Sequence, residues 1–236
     1  MMNYSAELQL TADQGDAAAQ YHLGICYLNG YGIKTDATKA TGMFLLAAKQ
    51  DLKRAQDALG HCYEQGLGVE KNYDEAARAY QLAVDQNYAK SQYRLGVLYL
   101  LGCGVEKNRA KAVELFQLAV EQGHAKSQFS LGLCYQFGWG VEKDATKTVK
   151  LYQLAADQGH TNAQSKLAAL CYKKGEDTAN DMKEAASALT KCTDTLFTPP
   201  PQDSQAFKDS QELKDLDLDS DSDSDLATTA AQFWEI

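Results

Sequence analysis

One short motif recurs five times in this chain, and successive copies lie 36 residues apart. Each copy carries a glutamine and, three residues later, a leucine, which a glycine follows in the first four copies. The leucines are Leu23, Leu59, Leu95, Leu131 and Leu167, and the glutamines are Gln20, Gln56, Gln92, Gln128 and Gln164. Self-similarity at such a period is typical of a solenoid, in which each repeat buries its apolar face against its neighbours. The motif therefore predicts a stack of repeats and not a core around one centre.

Each repeat is predicted to form a helix, a turn and a second helix. In the second repeat, apolar residues recur at spacings of three and four, which indicates an amphipathic helix A. They are Ala55, Leu59, Cys62 and Tyr63. Gly66 and Gly68 then end the helix, because glycine adopts the positive φ that a chain reversal needs. Helix B follows Asn72, a residue type that caps first-turn amides, and the equivalent positions hold Asp36, Asn108 and Asp144.

The repeats fill residues 1–192, which we predict to be a single solenoid domain. Residues 10–15 copy the end of a helix B, so residues 5–14 are expected to form an N-terminal cap helix. The fifth unit is degenerate, because Ala168 replaces the glycine and its helix B, at about residues 181–192, is displaced by one residue. Terminal repeats of solenoids are commonly atypical. The predicted units are residues 15–50, 51–86, 87–122 and 123–158, followed by the degenerate 159–192.

The fourth repeat shows the pattern most completely. Its characteristic positions are Leu131, Gly132, Tyr135, Gly138, Gly140, Val141, Asp144, Lys147, Tyr152, Ala155, Ala156 and Gly159. This pattern resembles the Sel1-like repeat family, a relative of the tetratricopeptide repeat, over about residues 5–192. Ser127 and Thr148 depart from the family's alanines but are also small. The resemblance implies an all-α, right-handed α/α solenoid. It also implies a role as an adaptor that holds protein complexes together, with no enzymatic activity.

The net charge of −9 is concentrated at the C-terminal end. Residues 193–236 hold 11 of the 32 acidic residues and only two of the 23 basic ones, so residues 1–192 are neutral overall. This distribution argues against nucleic acid or an anionic membrane as the main partner. We predict that residues 193–236 form an acidic, mostly disordered tail. Phe233 and Trp234 lie near its end and are candidates for a short docking helix, or for a cover over the fifth repeat.

The six cysteines are expected to be free thiols. Cys26, Cys62 and Cys134 share one repeat position, where the third repeat has Leu98. A position that accepts cysteine or leucine is typical of the buried core. Equivalent positions in stacked helices lie about 8–10 Å apart, beyond the ~7 Å limit for a disulfide. We therefore expect a reducing, cytoplasmic location. We expect no metal or cofactor site, signal peptide or membrane-spanning segment.

A partner-binding surface is predicted on helix A, which lines the concave face of tetratricopeptide-like solenoids. Its variable positions hold basic residues beside aromatic ones in the second to fourth repeats. They are Arg54, Lys90, Tyr93, Arg94, Lys126 and Phe129. Bases that hold carboxylates and rings that contact apolar side chains suit an extended acidic peptide, which includes the chain's own tail. The alternative is that the bases form a solvated face and that the two rings belong to the core.

Other residues allow different interpretations. The glutamines could bind a ligand backbone, but we favour bridges between neighbouring helices. The four histidines are His22, His61, His124 and His160. No nucleophile stands at a telling spacing from them, so structural or surface roles are favoured over catalysis. Two alternatives to an adaptor are a hydrolase that uses Cys or His and a secreted bacterial effector with an export signal in its acidic tail.

Overall fold

The computed structural model of the chain describes residues 4–175, with side chains as far as residue 170. This part is helical throughout its regular structure and contains no strand. Its helices are α1 (Ala6–Asp13), α2 (Ala17–Asn29), α3 (Ala37–Ala48), α4 (Lys53–Gln65), α5 (Tyr73–Asp85), α6 (Ala89–Leu101), α7 (Arg109–Glu121), α8 (Ala125–Phe137), α9 (Ala145–Asp157) and α10 (Thr161–Gly175). The predicted all-α class is confirmed.

The helices from α1 to α9 pack in chain order. Each helix A (α2, α4, α6 and α8) lies against the helix B that follows it, and that helix B contacts the next helix A. This sequential packing is the solenoid arrangement that the period predicts. The fifth helix B at residues 181–192, the tail at 193–236 and its proposed docking residues Phe233 and Trp234 lie outside the described residues.

The turn between the two helices of a repeat depends on its glycines. In the third repeat, Gly102 ends α6 in the left-handed conformation, with φ +81°. Gly104 also has positive φ, and a β-carbon there would overlap the backbone carbonyl of Tyr73 at the start of α5. The second glycine of the turn therefore permits a backbone contact between adjacent repeats that no other residue type allows.

The glycine of the recurring leucine–glycine pair has a different role. A β-carbon on Gly60 would lie 2.5 Å from the ring of Tyr80, and one on Gly96 would lie 2.6 Å from the ring of Phe116. These rings project from helix B and are fully buried. Helix A thus lacks a side chain at this position because the aromatic ring of helix B occupies the space.

The recurring glutamines join the two helices of each repeat. Gln86, which follows helix B, donates its side-chain amide to the side-chain oxygen of Gln56 at 2.8 Å. The same bond joins Gln50 to Gln20 at 2.9 Å, Gln122 to Gln92 at 2.8 Å and Gln158 to Gln128 at 2.7 Å. The helix A glutamines are buried polar groups that need partners, whereas the donor glutamines after helix B are exposed. The structural interpretation of the glutamines is confirmed.

Candidate partner-binding surface

Three basic residues occupy one equivalent position in consecutive repeats. Arg54, Lys90 and Lys126 are each the second residue of a helix A, in α4, α6 and α8. Arg54 is exposed, whereas the two lysines are half-buried. We call these three residues the basic row. It places positive charge beside the N-terminal ends of three helices, where the helix dipole also favours an anion.

Two of these helix ends have no side-chain cap. Leu52 precedes α4 and Tyr88 precedes α6, and neither side chain accepts a hydrogen bond from the first turn. By contrast, Asp16 caps α2 by accepting from the backbone N–H of Ala19 at 2.6 Å. A carboxylate brought to the basic row would therefore lie near first-turn amides of α4 and α6 that the N-cap side chains do not bond.

Aromatic rings border the basic row in the later repeats. The half-buried Tyr93 has its ring centroid 5.3 Å from that of His124 and 6.1 Å from that of Phe116. Phe129 stacks on His160 at 4.7 Å and lies 5.4 Å from Tyr152. Each ring thus rests on a helix B aromatic and retains partial exposure, so it combines packing with an apolar surface for a ligand.

The electrostatic influence of the basic row reaches neighbouring side chains. Burial lowers the pKa of His22, and the positive charge of Arg54 lowers it further. Burial also lowers the pKa of His160, with Lys126 adding to the effect. Both imidazoles are therefore favoured in the neutral form, so the fixed positive charge of this surface comes from arginine and lysine.

Arg94 does not lie on this surface, and this corrects the sequence-based prediction. Its side chain is only 6% exposed. Its Nη1 atom lies 3.1 Å from Nδ1 of His61 and 3.5 Å from Oε2 of Glu64, and its Nε atom lies 3.8 Å from Oδ1 of Asp57. The guanidinium is thus committed to carboxylates of the preceding repeat and is not a contact for a ligand.

The surroundings of Arg94 form a buried charged cluster that sequence reasoning missed. The cluster comprises Asp57, His61, Glu64, Tyr80, Ser91 and Arg94. Tyr80 donates its hydroxyl to Glu64, and Ser91 donates to Asp57 at 2.7 Å. A signal was present, since the second repeat has Asp57, His61 and Glu64 where the third has Tyr93, Val97 and Leu100.

Two histidines and four cysteines have structural positions. His124 and His160 are N-caps, and Nδ1 of each accepts from a backbone N–H three residues later, at 3.3 and 3.2 Å. Burial raises the pKa of the Cys62 and Cys134 thiols to about 11 and about 12. The pKa values of Cys26 and Cys103 are raised as well, again by burial first. None of these four thiols is poised as a thiolate nucleophile at neutral pH.

Within residues 4–175, no cluster of three or more His, Cys, Asp or Glu side chains has the arrangement of a metal site. The helices in the same range are all too short or too polar to cross a membrane.

Comparison with known proteins accounts for the repeat. The Sel1 repeat pattern matches residues 17–52, 53–88, 89–124, 125–160 and 161–187. The chain belongs to the Sel1 repeat family. Sel1 repeat proteins are generally scaffolds that bind other proteins. The comparison with curated proteins gives no match.

Two solved structures are similar to this Sel1 repeat chain. One is a protective antigen with an SLR fold, present in uropathogenic Escherichia coli strains, at 32% identity and a TM-score of 0.73. That match covers 82% of this chain and 41% of the antigen, so the chain spans about two-fifths of the antigen's length. The other is a Sel1 repeat protein from Oxalobacter formigenes, at 34% identity and a TM-score of 0.66, with 75% of this chain and 72% of that one covered.

Proposed function

We propose that this Sel1 repeat chain is a non-enzymatic protein-interaction adaptor that binds an extended acidic segment on its helix-A surface. The observation that carries the proposal is the basic row of Arg54, Lys90 and Lys126, which crosses three consecutive repeats beside two helix ends that have no side-chain cap. Helix A lines the concave face in tetratricopeptide-like solenoids, and a peptide there would meet all three bases.

The chemistry of the surface assigns a part to each group. Carboxylates of the ligand would pair with the basic row and with first-turn amides of α4 and α6. Apolar side chains of the ligand would contact Tyr93 and Phe129, whose rings are half-buried. Arg94 would support the surface without contacting the ligand, because its ion pairs join the second and third repeats and so fix the spacing of Arg54 and Lys90.

The chain's own tail has the chemistry of such a ligand. Residues 215–225 alternate acidic residues with leucine or serine, and they lie outside the described residues. We propose that this segment competes with external ligands for the basic row. Among the described residues, Cys26, Cys62 and Cys134 are free and buried, which supports action in a reducing compartment. The effector alternative depends on the tail as an export signal and stays a prediction.

The test uses the full chain and a fluorescein-labelled copy of residues 211–225 as the acidic probe. Replacing Lys90 and Lys126 by glutamate should weaken binding at least tenfold, and raising the salt concentration should weaken binding to the wild type. The matched control replaces Lys49 and Lys150 by glutamate, since both are exposed, Lys49 directly after α3 and Lys150 within α9. Equal weakening in both double variants, or none in either, would contradict the proposal. Neutralising Asp219, Asp221 and Asp223 in the chain itself should strengthen probe binding if the tail competes.

A further inference from the structure

A column of exposed leucines runs along the helix B side of the repeats. The same position carries leucine in the cap helix α1 and in all four complete repeats, although it faces solvent each time. The exposed fractions are 59% for Leu10, 44% for Leu46, 52% for Leu82, 44% for Leu118 and 40% for Leu154. We call these five residues the leucine column. Exposed leucines scattered singly are ordinary, whereas an aligned set of this kind marks an interaction surface.

Descent of the repeats from one ancestor does not by itself explain the column. Another helix B position, four residues before the leucine and exposed in three of the four complete repeats, differs in every copy: it holds Gly42, Arg78, Glu114 and Lys150. The core does not explain it either, because the buried ring and the buried alanine of each helix B lie at other positions, such as Tyr80 and Ala83. Leucine therefore recurs at a position that is at least 40% exposed in every copy.

Acidic side chains border the column on one side. An exposed carboxylate stands three residues after the leucine in four of the five helices, namely Asp13, Asp85, Glu121 and Asp157. Glutamines hold three of them in place: Gln9 donates to Asp13 at 2.9 Å, and Gln81 to Asp85 and Gln153 to Asp157 at 2.7 Å each. We call the four carboxylates the acidic row. An apolar ridge with a fixed anionic edge defines the complementary surface, which is an apolar stripe beside positive charge.

We propose that the leucine column and the acidic row together bind an amphipathic helix of a partner protein, one with a leucine-rich face and a lysine- or arginine-rich flank. Helix docking through an apolar stripe is a recurrent mode of recognition, and the flanking charges select the partner and its orientation. Charge disfavours the other occupants, since a second copy would bring the same acidic row and the chain's own tail holds 11 acidic residues against two basic ones. The proposal goes beyond the helix-A function, and it gives the adaptor a second surface of opposite charge preference.

The experiment measures binding of a labelled 18-residue leucine–lysine peptide with an amphipathic helical pattern to the full chain. A peptide of the same composition in scrambled order is the charge control. Replacing Leu82 and Leu118 by glutamine should weaken binding of the patterned peptide at least tenfold. Replacing Leu45 and Val149 by glutamine should leave it unchanged, because these side chains are 37% and 46% exposed but lie outside the column.

The acidic row is tested with a second double variant and its matched control. Asp85→Asn with Glu121→Gln should weaken binding about fivefold, whereas Glu106→Gln with Glu142→Gln, which alter exposed acids of the turns, should not. Circular dichroism of each variant checks the fold, which exposed substitutions should preserve. Equal affinity for the scrambled peptide, or equal affinity of all variants, would show attraction to the net negative charge alone and overturn the proposal.

Two further outcomes would overturn the choice of occupant. Sedimentation velocity that shows dimers of the wild type and monomers of the Leu82→Gln, Leu118→Gln variant would assign the column to a second copy. Binding of the patterned peptide only after removal of residues 193–236 would assign it to the chain's own tail.

Discussion

The second and third repeats surround the same helix B ring with opposite chemistry. In the third repeat, Tyr93 packs on Phe116, and Val97 and Leu100 complete an apolar environment. In the second repeat, the position of Tyr93 holds Asp57 instead of a ring. The guanidinium of Arg94, from the next repeat, lies over the Tyr80 ring instead, with Cζ 5.8 Å from its centroid.

This difference shows which parts of the repeat the fold requires. The backbone of both repeats uses the same turn glycines, the same glutamine bond and the same space for a buried ring. The side chains around the ring are free to be apolar or charged, provided that each buried charge is paired. In the apolar version the helix A of the same repeat covers the ring, whereas in the charged version Arg94 of the next repeat covers it.

The identity of the helix B ring, tyrosine or phenylalanine, is matched by the helix A residue 16 positions earlier. Tyr80 donates to Glu64, and Tyr152 donates to Gln136 at 2.6 Å. Where the helix B ring is Phe44 or Phe116, the residue 16 positions earlier is Leu28 or Leu100. A ring hydroxyl is therefore present only in repeats whose helix A supplies an acceptor, as the requirement for satisfied buried polar groups demands.

The largest effect is expected when Arg94 is replaced by alanine. The substitution leaves Asp57 and Glu64 buried without their guanidinium partner, which should lower the free energy of unfolding by about 3–5 kcal/mol. Ser130→Ala is the control, because Ser130 holds the equivalent position one repeat later and is half-buried. It should change the free energy by less than about 0.5 kcal/mol. Urea unfolding followed by circular dichroism measures both, and a loss below about 1 kcal/mol for Arg94→Ala would contradict the account.

A smaller effect is expected when each tyrosine hydroxyl is removed. Tyr80→Phe removes the hydroxyl donor of the Glu64 carboxylate, which is 1% exposed and retains the longer contact with Arg94 at 3.5 Å, and should destabilise the chain by about 1–3 kcal/mol. Tyr152→Phe should have an effect of only about 0.5–1 kcal/mol, because the half-buried Gln136 can bond to water instead. The same urea titrations compare the two variants. Equal losses would show that the burial of the acceptor does not distinguish the two repeats.

The sequence predicts best those features in which a particular residue type satisfies a local backbone requirement, such as a hydrogen bond at a helix end. Asp36, Asn72, Asn108 and Asp144 each accept from first-turn amides of helix B, as predicted. The repeat period also makes the helix A glutamines recognisable, since each has its glutamine partner 30 residues later in every complete repeat. Such features are local or identical in each copy, so a single pattern contains them.

The candidate site was harder to predict, because burial there depends on which side chains adjacent repeats bring together. Arg94 shares its column with His22, Ala58, Ser130 and Lys166, which is the variation of a surface position. Its burial depends on ion pairs with Asp57 and Glu64, which lie 37 and 30 residues earlier in the chain. Comparison of equivalent positions alone does not reveal that pairing. The leucine column is hard to recognise for the opposite reason, because leucine in an amphipathic helix is typical of the buried face.

The smallest expected effect is a loss of stability at acidic pH through His160. In the later repeats, histidine precedes helix A, and Nδ1 of His160 accepts from the N–H of Ala163 at 3.2 Å. In the third repeat, Tyr88 holds that position and does not cap α6. Burial and Lys126 lower the pKa of His160 below its ordinary value of about 6.5, so near pH 6 the folded chain binds fewer protons than the unfolded chain. The stabilisation is therefore complete above about pH 6.5 and is lost as the pH falls through and below that value.

His160→Asn separates this contribution from the other titrating groups, because asparagine is an effective N-cap that does not titrate near pH 6. Between pH 7.5 and pH 5.5, the wild type should lose up to about 1 kcal/mol more than the variant, the typical contribution of an N-cap. Hydrogen exchange localises the effect: once corrected for intrinsic rates, protection of the Ala163 amide should fall at low pH in the wild type only. The amide of Ser91, the equivalent position in α6, should show no such difference. The same pH dependence in both proteins would remove His160 from the account and leave His22, whose pKa burial also lowers, as the titrating group to test.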